Sequence, residues 1–169
     1  AVTGVQTCAL PIYDCSVVAT VMSVDPDCSP EITAMIGVSA AIAISDIPWD
    51  GPISGVNVGL VDGNIVINPG LEDRAKSDLV LTVASTADLV AMIEAGGNEI
   101  DDDTMFNAIM AGHEENKKIV KFIQGIVDEI GKPKFAYESS DPDHEIMAEI
   151  EAFCAEDVKK ALDTDDKNV

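Results

Sequence analysis

The pair Asp62-Gly63, set between the β-prone runs Val56 to Val61 and Asn64 to Asn68, constrains this chain more than any other local feature. A two-residue hairpin turn needs positive φ at its centre, and Asp-Gly accepts that backbone at little cost. The segment VNVGLVDGNIVIN therefore reads as a β-hairpin.

The flanking sequence supplies the rest of a layered fold. Cys15 to Val24 is an apolar, β-branched run that ends at the turn signal VDPD and reads as a buried strand. Ser29 can cap a helix with Pro30 in its first turn, and Ile32, Met35, Ile36, Ser39, Ala40 and Ala43 repeat along one face. The small Ala and Gly side chains in that helix permit close packing on a sheet. The helix should stop near Asp46 to Pro48, with PWDGP as a loop. Beyond the hairpin, Asp78 to Ser85 and Leu89 to Glu94 read as two more strands joined through STAD, and AGGNE closes the unit.

A long helix follows from Asp101, where three acids stand at the positive end of its dipole. Phe106, Ile109, Met110, His113, Val120, Ile123, Val127 and Ile130 form its expected apolar stripe. Gly131 stops it and Pro133 confirms the break. After a polar linker, Lys134 to Asp141, a last helix opens at Asp141-Pro142 and carries Ile146, Met147, Ile150, Phe153, Cys154, Val158 and Leu162 on one side. One such helix cannot bury its own stripe, so its partner helices must come from elsewhere. Strand, helix, four strands, long helix, linker, helix is an α/β order of the α+β type, with mostly antiparallel hairpins. Ala1 to Ile12, AVTGVQTCALPI, has no clear period and resembles a translated sequencing adapter, so it reads as a non-native segment outside the fold. Both ends of the chain read as cut.

With 169 residues, 47% apolar content and mean hydropathy of +0.17, the chain can bury a core. No apolar run approaches the roughly 20 residues of a membrane span, and the start lacks a signal-type segment, so a cytoplasmic protein without membrane contact is expected. Cys8, Cys15, Cys28 and Cys154 have neither metal-knuckle spacing nor the density of a disulfide framework, and read as free thiols. The net charge of -21, with 31 acids against 10 basic residues and Arg74 the one arginine, opposes strong binding of RNA by this segment alone. A generally acidic, soluble surface accounts for the same balance.

Few residues offer a site by type and spacing. Asp25, Asp27, Ser29 and Glu31 alternate like the start of a calcium loop, but Pro30 stands where such a loop needs glycine, and no glutamate closes it. His113 on its helix stripe and His144 in the first turn of the last helix have no cysteine or second histidine at ligand spacing, and read as a core and a surface histidine. Lys117, Lys118 and Lys121 could touch an RNA backbone, yet Glu114 stands three and four residues before the first two and favours pairing within the helix. Trp49 could stack on a base, but a lone aromatic in such a loop more often anchors the loop to the core.

The consecutive segments VVATVMSVDPDCSPEITAMIGVSAAIAISDIPWDGPISGVNVGLVDGNIVINP, SDLVLTVAST, AMIEAGGNEI, FNAIMAGHEENKKI and GKPK resemble, in their order and spacing, the polynucleotide phosphorylase family. The resemblance covers nearly everything from Tyr13 to Val169. It implies an RNase PH-like β-α-β layered domain, truncated at its N-terminus, followed by the first part of an all-α linker domain. Residues 13–131 would be the later part of the first RNase PH-like copy and 132–169 the linker and start of the all-α domain.

The implied parent is a homotrimeric, Mg2+-dependent enzyme that shortens RNA from its 3′ end with inorganic phosphate and releases nucleoside diphosphates, with no DNA or membrane partner. Its chemistry would sit in a second copy outside this chain. The family's phosphate-binding serines fall here on Ser29, Pro30 and Glu31. Its metal-proximal aspartate falls on or beside Val80, or on Asp78 if the register slips by two, and its lysine near Thr82. On this resemblance no residue of the chain is catalytic, cofactor-binding or metal-binding, and the family's arginine-rich loop that grips RNA is absent. The alternatives are an acidic stand-alone scaffold for protein partners, using the stripe of the last helix, and an exosome-type RNase PH-like ring subunit.

Overall fold

The computed structural model describes residues 3–9, 14–138 and 143–163. Two compact units are distinguished, the first reaching Ala136 and the second taking in the C-terminal helix. The first holds β1 (Thr3–Ala9), β2 (Asp14–Thr20), α1 (Pro30–Ile44), β3 (Ser54–Val61), β4 (Asn64–Ile67), α2 (Leu71–Lys76), β5 (Leu79–Ser85), β6 (Val90–Gly97) and α3 (Asp102–Ile130). The second holds α4 (His144–Leu162). A four-stranded sheet in the order β4-β3-β5-β6 is antiparallel throughout, and β1 pairs with β2 in a separate two-stranded sheet. This is the mixed α/β architecture expected from the sequence.

The hairpin forms where its turn dipeptide stands. Asp62 and Gly63 have φ of 50° and 76°, and Val61 pairs with Asn64 across the turn. In β5 the alternation is sharp: Leu79, Leu81 and Val83 are buried, while Val80 points outward. With Val56, Val58 and Ala108 they make the core, which Leu60, Ile67, Met105, Ile109 and Ile119 border.

The long helix buries part of its expected stripe, His113, Val120 and Ile123, with Ile109 at the border of the core, but its contact face is rotated toward small and polar residues. Buried on α3 are Ala108, Gly112, His113, Asn116, Val120 and Ile123, whereas Phe106 and Ile130 are exposed. The reason is close approach. A Cβ on Gly112 would lie 3.0 Å from Val83 Cγ2 and 3.1 Å from Val58 Cγ2, so any side chain here would have to displace both valines for the helix to sit this near the sheet. Four residues further on, the Asn116 amide donates to the Val83 carbonyl at 2.9 Å. Small size and one hydrogen bond outweigh the hydrophobicity of Phe106.

Other differences have equally local causes. The strand expected over Cys15 to Val24 ends at Thr20 and is only half-buried, because among the described residues it pairs with β1 alone. Thr3 to Ala9, given no element on sequence grounds, forms β1. The helix α2 was not anticipated: six residues carry no periodic signal, although Glu72 and Asp73 in its first turn and Arg74 and Lys76 in its last suit its dipole. Strand β6 continues through Ala95, Gly96 and Gly97, read as a closing turn, because they pair with Leu81, Val80 and Leu79.

Both long helices of the first unit are capped as their sequences suggest. Ser29 Oγ accepts from the Ile32 amide, and Asp101 Oδ1 from the Thr104 amide at 2.9 Å; the Thr104 side chain and, after it, this amide hold the Asp101 carboxyl below its usual range. The C-terminus of α1 is closed from a distance. Lys134 Nζ donates to the carbonyls of Ile42, Ala43 and Ser45, while the Lys132 and Phe135 amides donate to Ile44 and Asp46. Lys134, read as the start of a polar linker, is an anchor. The expected opening of the last helix at residues 141–142 lies outside the described residues; α4 is capped by Asp143, and none of its stripe is buried.

Replacing Gly112 by Val would force α3 off Val58 and Val83. We expect an overpacking loss of about 2 kcal/mol, read from chemical denaturation of the full chain. A Gly112→Val chain as stable as the parent would contradict this packing.

Candidate functional site

Of the positions that the family resemblance singles out, Ser29 lines a cleft of about 250 Å³ together with Asp27, Thr33, Asn57 and Asn68, and Thr82 is bonded to one of its walls through Asn57. The N-terminus of α1 brings Ser29, and β3 brings Asn57, the register partner of Thr82. Among the polar groups here most are already engaged. Ser29 Oγ donates to Glu31 Oε2 at 2.7 Å, and Thr33 Oγ1 donates to the Ser29 carbonyl. Asp27 Oδ1 accepts from the Leu71 amide, Asn68 Oδ1 from the Asn57 amide, and Asn57 Oδ1 from Thr82 Oγ1 at 3.0 Å.

Electrostatically the site favours a carboxylate that it already contains. The hydroxyl of Ser29 holds the Glu31 carboxyl below the usual range, helped by a backbone bond and, more weakly, by the charge of Arg74. Glu31 thus stands ionised in the first turn of α1, where the dipole attracts negative charge. Arg74 is spent on the Pro26 carbonyl.

The other expected positions sit apart from any charge cluster. Val80 is 69% exposed on the outer face of β5. Asp78 is exposed at the entry to β5, its carboxylate 3.4 Å from the Asn98 amide nitrogen. Asp25, Asp27 and Glu31 turn to different partners instead of converging: the Asp27 amide, the Leu71 amide and the Ser29 hydroxyl. Among the described residues no group of three or more His, Cys, Asp and Glu side chains could hold a metal ion.

His113 is buried as expected, though its Nδ1 finds no protein partner, and His144 is exposed at the start of α4. Lys117 pairs with Glu114 at 2.7 Å, but Lys118 pairs with Glu115 and not with Glu114, since the third residue back lies nearer its ammonium. Lys121 and Lys117 line a second cleft with Asp50 and Asp88. Trp49 is half-buried with its ring over Gly51, so it serves its own loop. Cys15, Cys28 and Cys154 are free thiols. No helix among the described residues is long and apolar enough to cross a membrane.

What sequence reasoning missed is Asn57 and Asn68. Their only signal is polarity within a β-hairpin, which many exposed strands share.

Residues 51–115 match the 3′ exoribonuclease family, domain 2. Among solved structures, rice Rrp46 has a TM-score of 0.55 at 15% identity, covering 62% of this chain and 51% of that one, a likeness of fold. The polyribonucleotide nucleotidyltransferases of Ruminiclostridium cellulolyticum and Lachnoclostridium phytofermentans are each 53% identical to the chain, over 91% and 88% of its length. That of Clostridioides difficile is 49% identical over 91%. The chain spans 22% of the length of each of these relatives. Over that span it belongs to the polyribonucleotide nucleotidyltransferase family and carries the second domain of the RNase PH-like fold.

Proposed function

We propose that the chain is the non-catalytic, scaffolding part of a phosphorolytic 3′–5′ exoribonuclease that acts in cytoplasmic mRNA degradation. Such an enzyme transfers the terminal nucleotide of RNA to inorganic phosphate, yielding a nucleoside diphosphate and an RNA shortened by one residue. Residues 13–131 are assigned to its first RNase PH-like copy and 132–169 to the start of its all-α domain, with 1–12 outside both. In the homotrimeric parent, RNA and phosphate are held by residues beyond this chain.

The occupied N-terminus of α1 carries this reading. An incoming phosphate needs unpaired N–H donors and a positive field, and Glu31 presents the opposite charge at that end of the helix. The residues at the metal-proximal positions do not fit Mg2+ either. Val80 has no donor atom, the Thr82 hydroxyl is given to Asn57, and among the described residues the exposed Asp78 belongs to no group of three or more His, Cys, Asp and Glu side chains that could hold a metal ion. No step of the reaction is therefore assigned to a metal on this chain.

The capping role of Glu31 has a pH signature. Its folded pKa lies below the ordinary value of 4.5, so its contribution is fully present above that pH and is lost as pH falls through the lowered pKa. Glu31→Gln should cost about 0.5 kcal/mol at pH 7, solvent screening at this exposed site keeping it small. Urea titrations should show the gap between parent and variant closing from pH 4.5 downward; a gap that does not depend on pH would refute the charge's role.

The functional reading is tested by incubating the full chain, made in a host without its own phosphorolytic exonuclease, with labelled oligo(A), phosphate and Mg2+. No ADP should form. Release of ADP would show that the chain is catalytic.

A further inference from the structure

Where β3 begins and β5 ends, Ser39 of α1, Ser54 of β3, Ser85 of β5 and Asn116 of α3 are withdrawn from solvent, three of them completely. Ser54 and Ser85 are directly opposed across the antiparallel pairing. Their even spacing from Val56, Val58 and Val83 puts them on the face of the sheet that meets α3, since it is Val58 and Val83 that a side chain at Gly112 would strike. Asn116 stands about one turn beyond Gly112 and is bonded to the carbonyl of Val83, two residues before Ser85. Sheet register and helix position thus gather the three side chains at one junction.

Their hydrogen bonding is incomplete. Ser39 Oγ is satisfied by the Ile53 amide at 3.0 Å, and Asn116 uses its nitrogen on Val83. Ser54 Oγ, Ser85 Oγ and Asn116 Oδ1 have no protein partner. Buried hydroxyl and amide oxygens are rarely left unpaired, because each loses its hydration without replacement. The chemistry of the cluster narrows what could complete it. It offers two hydroxyl donors and three acceptor oxygens, none of them charged. A divalent cation would find no carboxylate to offset its dehydration, and an anion would find no positive group. A small neutral molecule that both donates and accepts fits all three, and one water can donate to Asn116 Oδ1 and one serine while accepting from the other.

We propose that a single buried water is bound by Ser54 Oγ, Ser85 Oγ and Asn116 Oδ1 and ties α3 to β3 and β5. It braces the inner ends of the strands just before the chain reaches Pro52 on one side and Thr86 on the other, two residues that line the surface cleft holding Lys117 and Lys121. The fourth buried side-chain atom without a partner among the described residues, His113 Nδ1, lies on the preceding turn of α3 and is not required.

A crystal structure of the full chain, at a resolution that shows ordered water, tests this directly. Density within hydrogen-bonding distance of all three oxygens is expected. A map in which the serine hydroxyls bond to each other or to main-chain carbonyls, with no water between, overturns the proposal. Thermal unfolding of S54A/S85A gives an independent readout. If the water is present, removing two of its three partners should lower the unfolding midpoint by a few degrees. If the hydroxyls are simply unsatisfied, the double variant melts at or above the parent, and the proposal fails. Should the double variant not fold, S54A alone carries the same sign test and the parent's map remains decisive.

Discussion

The close seating of α3 on the strands β3 and β5 is the contact from which the rest of the first unit follows. It depends on a missing side chain at Gly112 and on one buried hydrogen bond from Asn116 to Val83. Once the helix axis is drawn that near, Ala108 and Ile123 fall on the core, and Val56, Val58, Leu81 and Val83 are sealed from water. A larger residue at position 112 would separate the layers and open voids along the whole interface. The same closeness leaves Ser54 and Ser85 beneath the helix, where ordinary solvent cannot reach them.

Helix α1 is the second element whose charges are settled inside the protein. Its positive end carries the ionised Glu31, held by Ser29, and its negative end receives the ammonium of Lys134 across three carbonyls. A helix compensated at both ends has little field left for a ligand. Lys134 also ties the chain after α3 back to α1, so the exit of the first unit is set by the same side chain that closes the helix.

The acidic composition does not define the candidate cleft. The carboxylates are spread over helices and loops, and surface pairs such as Lys117 with Glu114 and Lys118 with Glu115 contribute little individually. The candidate cleft holds one of these carboxylates, Asp27, spent on the Leu71 amide, beside the neutral side chains Ser29, Thr33, Asn57 and Asn68.

Much of the fold was readable in advance. The hairpin at Asp62-Gly63, the caps Ser29 and Asp101, and the stop at Gly131 are set by interactions spanning a few residues. The absence of charge at Val80 and the presence of charge at Glu31 are likewise properties of single residues. The buried face of α3 was legible only in part: His113, Val120 and Ile123 are buried as expected, but hydrophobicity favours Phe106 and Met110, whereas the sheet selected Gly112 and Asn116 for size and hydrogen bonding. The bonds of Thr82 to Asn57 and of Lys134 to Ala43 join residues 25 and 91 positions apart, and no local pattern announces them. Sequence alone therefore determined the turns, the helix limits and the chemical character of the candidate positions. Tertiary structure decided which faces are buried and which polar groups are spent, because those outcomes depend on neighbours that only the folded chain brings into contact.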